Sequence, residues 1–265
     1  MLSGRRTLTR GLALAAGGVL LALVLLHVYF AAMIAWWATH PPVATAFMAE
    51  RMRLLHEHDP RATLRYRFVP YERIAGTLKR AVIAAEDSGF TDHSGVEWDA
   101  LEKAWEKNDR ADAAAAQAAA RAQRRDVARP ATATAATRPP VAAKVVGGST
   151  ITQQLAKNLF LGSERNFVRK AQELVLSWEL EAILGKRRIL EIYLNSVEWG
   201  EGVFGAEAAA RRYFGVGAGS LGATQAAQLA VMLPAPKRFE RRPGSPYLLA
   251  RAATVSARMA QVDVP

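Results

Sequence analysis

Residues 84–95 place two acids at the end of an apolar run and follow them with an aromatic residue and a histidine. The acids are Glu86 and Asp87, and Phe90 and His93 come after them at short spacing. A carboxylate at the end of an apolar helix tends to lose solvent, which raises its pKa and suits it to proton-transfer catalysis. The alternative is that the two acids only cap the helix and face water, because perturbed carboxylates mark active sites only statistically.

A second acid, Glu173, follows a group of basic residues. Chemistry at a sugar's anomeric carbon usually uses two carboxylates that face each other across a cleft. Glu86 and Glu173 are therefore paired as candidate catalytic residues. The basic residues near Glu173 suit a phosphate or pyrophosphate. They are Lys157, Arg165, Arg169 and Lys170. The alternative is an ordinary i,i+4 pair of Arg169 with Glu173 on a solvated helix face, and glycosidase and transferase chemistry both stay open.

Two further motifs predict turns rather than sites. Asp92 and His93 suggest a metal ligand pair, but no second histidine stands at ligand spacing. The segment 200–205 matches G-x-G-x-x-G, which binds dinucleotides only after a strand. Because residues 189–195 have helical spacing, these glycines are expected to form a tight turn into the next helix.

The composition limits the class of protein and of partner. The chain has 265 residues, of which 51% are hydrophobic and 22% charged, which is enough for a packed core. Its formal net charge is +11, from 35 basic and 24 acidic residues, and this favours nucleic acid, acidic lipid or a phosphorylated substrate as partner. The absence of cysteine excludes disulfides, thiolate catalysis and cysteine-based zinc sites.

The N-terminal segment predicts a membrane anchor at residues 11–39, which carry no Asp, Glu, Lys or Arg. About 20 apolar residues suffice to cross the hydrocarbon core as a helix. Arg5, Arg6 and Arg10 precede the segment, so the positive-inside rule makes residues 1–10 a cytoplasmic tail and places the rest outside. A cleaved signal peptide is the alternative, but the apolar run is too long for one. Nucleic acid fits poorly with a domain outside the membrane.

Apolar spacing predicts one mainly α-helical domain over residues 40–265. The predicted helices cover about residues 43–58, 71–85, 97–105, 150–159, 165–184, 187–195, 205–213 and 224–233. Ser149 or Thr150 is expected to cap the fourth of these helices, and Thr224 the last. Residues 110–146 are rich in alanine, then in Ala, Thr and Pro, and they predict a disordered insertion whose first part forms at most a transient helix.

Four blocks follow one another in the sequence. They are Glu86-Asp87-x-x-Phe90-x-x-His93-x-Gly95, Gly148-Ser-Thr-Ile-Thr-Gln-Gln-x-x-Lys157-Asn158, Arg169-Lys170-x-x-Glu173, and Lys186-x-x-Ile189-Leu190-Glu191-x-Tyr193-Leu194-Asn195. Together they resemble the peptidoglycan glycosyltransferases of family 51, and specifically the monofunctional biosynthetic peptidoglycan transglycosylases. The resemblance extends from about Tyr66 to Arg238 and is interrupted only by the alanine-rich insertion.

The resemblance implies an all-α, lysozyme-like lobe with a small membrane-proximal jaw, acting on lipid II, a disaccharide-pentapeptide carried on a polyprenyl pyrophosphate. Glu86 matches the family's general base, which deprotonates the acceptor's 4-hydroxyl for an inverting attack on C1 of the donor muramoyl sugar. Glu173 matches the second acid, which acts at the pyrophosphate, with a divalent cation (Mg²⁺ or Mn²⁺) as an option and no organic cofactor. The four basic residues near Glu173 would neutralise the leaving diphosphate. The residues that would position sugar and phosphate are Asp87, Phe90, His93, Ser149, Thr150, Gln153, Gln154 and Asn158.

The resemblance also implies partners and a location. The partners are lipid II, the growing glycan strand, membrane lipid, and other cell-wall synthesis and division proteins. The location is the bacterial inner membrane, crossed once, with the catalytic domain on the periplasmic face. The insertion replaces a short connection, and Gln225 stands where the family has an acid, with only a structural effect expected. No S-x-x-K or K-T-G follows the last block, so no penicillin-binding transpeptidase domain is expected.

Two alternative functions stay open at this point. A lysozyme-like lytic hydrolase would use the same fold with Glu86 as an acid. The basic cluster and the anchor argue against it, because a hydrolase needs no diphosphate site. The other alternative is a non-catalytic scaffold for wall synthesis, and the presence of both glutamates argues against that.

Overall fold

The computed structural model describes residues 2–127, 148–162 and 167–265, and its contacts divide the chain into two units. One unit comprises Met1–Val96 with Thr150–Pro265, and the other comprises Glu97–Ser149. The helices are α1 (Leu2–Trp37), α2 (Ala46–His56), α3 (Gly76–Glu86), α4 (Trp98–Val127), α5 (Ile151–Phe160), α6 (Phe167–Ser196), α7 (Ala206–Phe214), α8 (Ala223–Met232), α9 (Pro236–Phe239) and α10 (Pro246–Arg258). The strands are β1 (Arg65–Tyr66), β2 (Glu198–Gly200) and β3 (Val203–Phe204). The predicted mainly helical class is confirmed.

The N-terminal helix α1 is long and apolar enough to cross a bilayer. Its segment Ala13–Trp37 has a mean hydropathy of 2.4, and its side chains are almost all exposed. Within the described parts of the chain, no other helix meets the same length and composition. A helix of this length and apolarity fits the predicted single-pass anchor at residues 11–39.

The last third of α1 packs against α5 and α6, which belong to the same unit. The ring of Phe160, at the end of α5, lies 4.9 Å from the ring of Phe30 and 5.3 Å from the ring of Trp37, measured between centroids. On the same side of α1, His27 Nδ1 lies 2.6 Å from the Glu179 carboxylate of α6. Aromatic and polar contacts therefore fix the anchor to the two helices that carry half of the sequence-predicted site residues.

Helix α3 is organised by its buried face and ends at a candidate catalytic residue. Leu78, Val82 and Ile83 are fully buried, and α3 packs against α8 and α10. Burying one such side chain stabilises the folded state by roughly 1.5–3 kcal/mol relative to leaving it exposed. The helix ends at Glu86 because Asp87 leaves the helical region, with φ −162° and ψ 76°.

Helix α6 contains one break, at Gly185, whose φ of 71° and ψ of 162° are not helical. Glycine adopts positive φ without the steric penalty of a Cβ atom. The sequence predicted separate helices at about 165–184 and 187–195, and this division is confirmed.

The small sheet has the order β1-β3-β2. Strands β2 and β3 form an antiparallel hairpin, and β1 pairs parallel to β3. The hairpin and the start of α7 use the glycines of 200–205, and Gly205 has a φ of 82°. A Cβ at Gly205 would lie 2.6 Å from the Asn195 carbonyl oxygen, so only glycine fits there. The predicted turn is confirmed, whereas β2 and β3 were missed because they are too short to show a period-2 pattern.

The second unit shows a longer helix than the sequence predicted. Helix α4 continues to Val127, so the prediction of disorder is wrong for residues 110–127. Alanine is the strongest helix former, and the i,i+4 pair of Glu106 with Arg110, at 3.0 Å, adds a small stabilisation. The remainder of the predicted insertion, up to residue 146, lies outside the described residues.

The sequence predicted the N-caps of two helices, and one of the two predictions is confirmed. Thr150 caps α5 as expected, whereas the N-cap of α8 is Gly222 and not Thr224. Helix α8 starts one residue before Thr224, so that residue lies inside the first turn. Gln225 accepts a hydrogen bond from the Gly222 amide at 3.0 Å, which is the structural role expected for it. The sequence predictions also missed α10.

Candidate active site

Glu86 is held by a chain of two hydrogen bonds. Its carboxylate, at the C-terminal end of α3, accepts from Gln154 Nε2 at 2.9 Å. Gln154 Oε1 in turn accepts from the hydroxyl of Tyr193 at 2.9 Å. Tyr193 is fully buried, and burial, with the charges of Glu86 and Asp87, raises the pKa of its hydroxyl well above the usual value. The hydroxyl therefore stays protonated, and it orients the Gln154 amide so that its N–H faces Glu86.

The environment of Glu86 raises its pKa. Burial is the largest cause, because it disfavours the charged form, and the neighbouring negative charge of Asp87 acts in the same direction. The hydrogen bond from Gln154 and the positive charge of Lys157 partly offset these effects and lower the pKa. Glu86 is thus a partly buried carboxylate with a raised proton affinity, a property that suits a general base.

Asp87 is buried and organises the backbone around Glu86. Its Oδ1 is 2.9 Å from His93 Nε2, and its Oδ2 accepts from the Ile151 amide at 2.9 Å. The Gly95 amide donates to His93 Nδ1 at 3.2 Å, so the ring proton lies on Nε2 and is donated to Asp87. The Ile151 amide is one of the unpaired donors at the start of α5, where a negative charge is favourable. Asp87 therefore joins the end of α3 to the start of α5.

A capping box at the start of α5 continues this connection. Thr150 Oγ1 accepts from the Gln153 amide at 3.2 Å, and Gln153 Oε1 accepts from the Thr150 amide at 3.1 Å. The Thr150 hydroxyl also donates to the Gly95 carbonyl oxygen at 2.6 Å. Thr150 and Gln153 are both buried, so their side chains hold backbone in place, and Thr150 binds the turn that follows Asp87.

The same turn packs directly against α6. Gly95 has a φ of 86°, and a Cβ there would lie 3.0 Å from Glu181 Cγ and 3.3 Å from the Ser177 carbonyl oxygen. From α5, the Thr152 hydroxyl donates to Glu181 Oε1 at 2.6 Å, and Lys186 donates to the same oxygen at 2.7 Å. The turn, α5 and α6 are therefore fixed to one another, about one to two helical turns along α6 from Glu173.

Glu173 holds two basic side chains of α6 in place. Its carboxylate accepts from Arg169 Nη1 at 3.0 Å and from Lys170 Nζ at 2.6 Å. Glu173 is only 3% exposed, while Arg169 and Lys170 are half-buried, so the cations lie between the acid and solvent. The Ser177 hydroxyl donates to the Glu173 carbonyl oxygen at 2.6 Å. Glu173 thus binds two basic side chains that lie on its solvent side.

This arrangement does not fit a divalent cation at Glu173. Magnesium and manganese need carboxylate or carbonyl oxygens that are free to coordinate. The guanidinium and the ammonium group occupy the two Glu173 oxygens and would repel a further cation. The Glu173 carboxylate is thus engaged by its two basic neighbours.

The structure brings most of the sequence-predicted site residues together. Several of them are buried and pack inside the protein. Phe90 is fully buried, with its ring 4.5 Å from Lys186 Nζ, so it packs inside the protein. Asn158 is also buried. Lys157 is half-buried on α5, and its positive charge lowers the pKa of Glu86. Ser149 belongs to the second unit, and Arg165 lies outside the described residues. The roles of Tyr193, Glu181 and Lys186 were missed, although Tyr193 and Lys186 stand in the fourth sequence block.

Asp87 supports a prediction about stability. Asp87→Ala leaves the buried Ile151 amide and the His93 ring N–H without acceptors, and each such loss costs about 1–3 kcal/mol. We expect a thermal unfolding midpoint lower by about 2–4 °C for each kcal/mol. The control is Asp59→Ala, because the Asp59 side chain also accepts from a backbone amide, at 2.9 Å, but is exposed. Equal midpoints for the two variants in detergent would contradict the connecting role of Asp87.

Comparison with known proteins places both acids within one family match. A model of the family described as transglycosylase matches residues 53–119 and 125–260. A biosynthetic peptidoglycan transglycosylase of Bordetella pertussis is 47% identical over 247 residues, 93% of this chain and 91% of the relative. Proteins of the same description are 48% identical over 260 residues in an Azoarcus species (98% and 99%) and 46% identical over 261 residues in Burkholderia pseudomallei (98% and 90%). Glu86 and Glu173 both lie within the matched ranges.

Proposed function

The chain belongs to the transglycosylase family and is a peptidoglycan glycosyltransferase, and we propose that it polymerises lipid II into β-1,4-linked glycan strands with release of polyprenyl diphosphate. The observation that carries this proposal is the Glu86 carboxylate, whose pKa is raised by burial while Gln154 and Tyr193 fix its orientation. A base of raised pKa accepts a proton more readily than an ordinary carboxylate.

The proposed reaction uses Glu86 as the general base. Its carboxylate takes the proton of the 4-hydroxyl of the acceptor's N-acetylglucosamine as that oxygen forms a bond to C1 of the donor muramoyl sugar. The bond between C1 and the phosphate oxygen breaks on the opposite face, so the configuration inverts, and the electron pair goes to the diphosphate. The proton ends on Glu86, and the diphosphate leaves as an anion that needs no general acid.

The proposed role of Glu173 is to position the cations that receive the diphosphate. Arg169 offers a planar guanidinium and Lys170 an ammonium group, both held by the Glu173 carboxylate, and Lys157 adds a third charge on α5. Preorganised cations stabilise charge that develops in the transition state, because they do not have to reorient during the reaction. A hydrolase of glycan strands releases no anionic leaving group and has no use for this arrangement.

The proposed location is the bacterial inner membrane, with the N-terminus in the cytoplasm and the catalytic domain on the periplasmic face. Support comes from the single apolar segment of α1 and from the arginines that precede it, Arg5, Arg6 and Arg10. A lipid-linked substrate lies in the same membrane as this anchor, which limits the search for substrate to two dimensions.

The test of the proposed function compares two donors that differ only in the leaving group. Purified protein in detergent is given lipid II, or the same disaccharide-pentapeptide on a polyprenyl monophosphate. We expect glycan strands from the diphosphate and at most traces from the monophosphate, because the cations at Glu173 match the larger charge. Equal use of both donors would contradict a diphosphate-directed site.

The raised pKa of Glu86 predicts the pH dependence of activity. The base must be ionised, so the polymerisation rate should fall as the pH falls through the Glu86 pKa, which burial places above the ordinary glutamate value. The measurement is the initial rate of lipid II consumption against pH. A rate that stays constant down to the pH range of an exposed glutamate would contradict this assignment.

The same shift predicts a pH-dependent gain in stability for Glu86→Gln. Because the folded-state pKa of Glu86 is raised, the wild type loses stability as the pH rises through it, whereas the variant titrates no group there. The variant should therefore unfold at a higher temperature than the wild type near neutral pH, with the difference vanishing at low pH. A difference that does not change with pH would argue against a titrating Glu86.

A further inference from the structure

A basic groove lies on the first unit, built from residues that take no part in the candidate active site. It encloses a volume of about 320 Å³ between β1 and α7. Arg65 and Arg67 line it from β1 and its continuation, and Arg211 and Arg212 line it from α7. We call these four residues the arginine groove. The proposed reaction leaves it without a role.

The charge of the arginine groove is only partly balanced. Glu207 is the one acid in its lining, and it is buried. Its Oε1 accepts from Arg211 Nε at 2.7 Å, and its Oε2 accepts from the Ala218 amide at 2.7 Å. Both oxygens of Glu207 are therefore engaged, and one of the four arginines is neutralised.

Three arginines of the groove remain available to an anion. Within the described parts of the chain, no carboxylate forms a salt bridge with Arg65, Arg67 or Arg212. All three are exposed, and Arg65 and Arg67 alternate with Tyr66 along an extended segment, so they project to one side of it. Guanidinium groups bind phosphate oxygens in pairs, which makes a cluster of arginines a better phosphate site than a cluster of lysines.

The groove is fixed next to the end of the anchor helix. The hydroxyl of Tyr66, between Arg65 and Arg67, donates to the Pro42 carbonyl oxygen at 3.0 Å. Pro42 follows Trp37, the last residue of α1, by a stretch of chain that spans at most about 18 Å. This contact ties β1 to the segment in which the chain leaves the apolar helix.

A second set of contacts, made by Arg188, links the segment of Arg65 and Arg67 to the end of α1. Arg188 donates to the carbonyl oxygens of Trp37 at 2.8 Å and His40 at 2.9 Å. Its guanidinium also lies 5.9 Å from the ring of Phe68, the residue after Arg67. The backbone that carries Arg65 and Arg67 is thus held near the end of α1 through Tyr66 and Phe68, which alternate with the two arginines, close to where an α1 that crosses the bilayer meets the headgroups.

We propose that the arginine groove binds the phosphate of an anionic phospholipid headgroup in the membrane that α1 enters. The groove supplies three guanidinium groups that form no salt bridge with any described residue, and the contacts to Pro42, Trp37 and His40 place it near the end of α1. Binding would hold this unit in one orientation on the membrane surface. The proposal does not depend on the chemistry assigned to Glu86 or Glu173.

The test measures binding of fluorescent phosphatidylglycerol to the full-length protein in a neutral detergent. The variant carries Arg65→Gln, Arg67→Gln and Arg212→Gln. Its matched control carries Arg241→Gln, Arg242→Gln and Arg251→Gln, three exposed arginines outside the groove, and loses the same charge. Each basic residue near an anionic lipid contributes about fivefold in affinity, so the groove variant should bind about a hundredfold more weakly. The affinity of the control variant for the lipid should change by less than about threefold, as expected for loss of diffuse charge.

Competition identifies the source of the phosphate. Unlabelled phosphatidylglycerol should displace the probe, whereas phosphatidylcholine, inorganic phosphate and peptide-bearing glycan fragments at the same concentration should not. Equal loss in the groove and control variants, or displacement by free phosphate or glycan fragments, would overturn the proposal. If the triple variant does not show wild-type circular dichroism and melting, the single variants Arg65→Gln and Arg212→Gln replace it. Each should weaken binding about fivefold, and no change in either would also overturn the proposal.

Discussion

The Glu86→Gln variant is expected to polymerise lipid II about 10²–10⁴-fold more slowly than the wild type, the usual contribution of a positioned general base. The substitution keeps the size of the side chain and removes only its ability to accept the proton of the acceptor hydroxyl. The contacts of Gln154 with Tyr193 do not involve Glu86, so the surrounding structure should persist. The measurement is the initial rate of glycan formation at saturating lipid II, with binding of lipid II measured separately.

The control for this prediction is Glu72→Gln. Glu72 is an exposed acid paired with Arg187, and its substitution removes the same charge without touching the candidate active site. Its rate should stay within a few-fold of the wild type. Full turnover in Glu86→Gln, or equal losses in the two variants, would show that Glu86 is not the base.

The Glu173→Gln variant is expected to lose about 10²-fold in rate, because displacing positioned groups by about 1 Å has an effect of that size. Glutamine cannot hold Arg169 and Lys170 by charge, so both cations would relax toward solvent. Because they act on charge that develops as the diphosphate leaves, kcat should fall more than KM rises. The measurement is a full set of kinetic constants for lipid II.

Two comparison variants separate this positioning role from a loss of stability. Breaking a buried ion pair can cost about 3–5 kcal/mol, so the melting of Glu173→Gln must be followed with its kinetics. Arg169→Lys retains the charge but loses the planar fork, and it should keep part of the activity. Glu57→Gln breaks the exposed i,i+4 pair with Arg53 and should leave the kinetics unchanged. A Glu173→Gln protein with wild-type kcat would contradict the role of Glu173.

Features set by local sequence were predicted well. The end of α3 at Glu86, the Thr150 cap of α5 and the break at Gly185 all depend on residues within one or two helical turns. Apolar spacing, capping side chains and glycine act over that distance, so one sequence is enough to detect them. The prediction of an anchor depended on composition alone, and the apolar segment of α1 agrees with it.

Features set by distant contacts were not predicted. Asp87 was expected at the substrate but binds the Ile151 amide, 64 positions away in the sequence, and Phe90 is enclosed beside Lys186. Tyr193 contacts Gln154 from 39 positions away, and no local pattern indicates that pair. The helical continuation of α4 was missed for a different reason, because alanine favours a helix even where few large apolar residues are present to pack it.

The measurement that tests the central claim most directly is an analysis of the products formed by the purified, detergent-solubilised protein from labelled lipid II. Glycan products are separated on a gel beside those of the Glu86→Gln variant, and preformed glycan strands are incubated in parallel. The proposed function predicts a ladder of long strands from the wild type, none from the variant, and no change in the preformed strands. Shortening of the preformed strands without any ladder would contradict it and identify a lytic hydrolase.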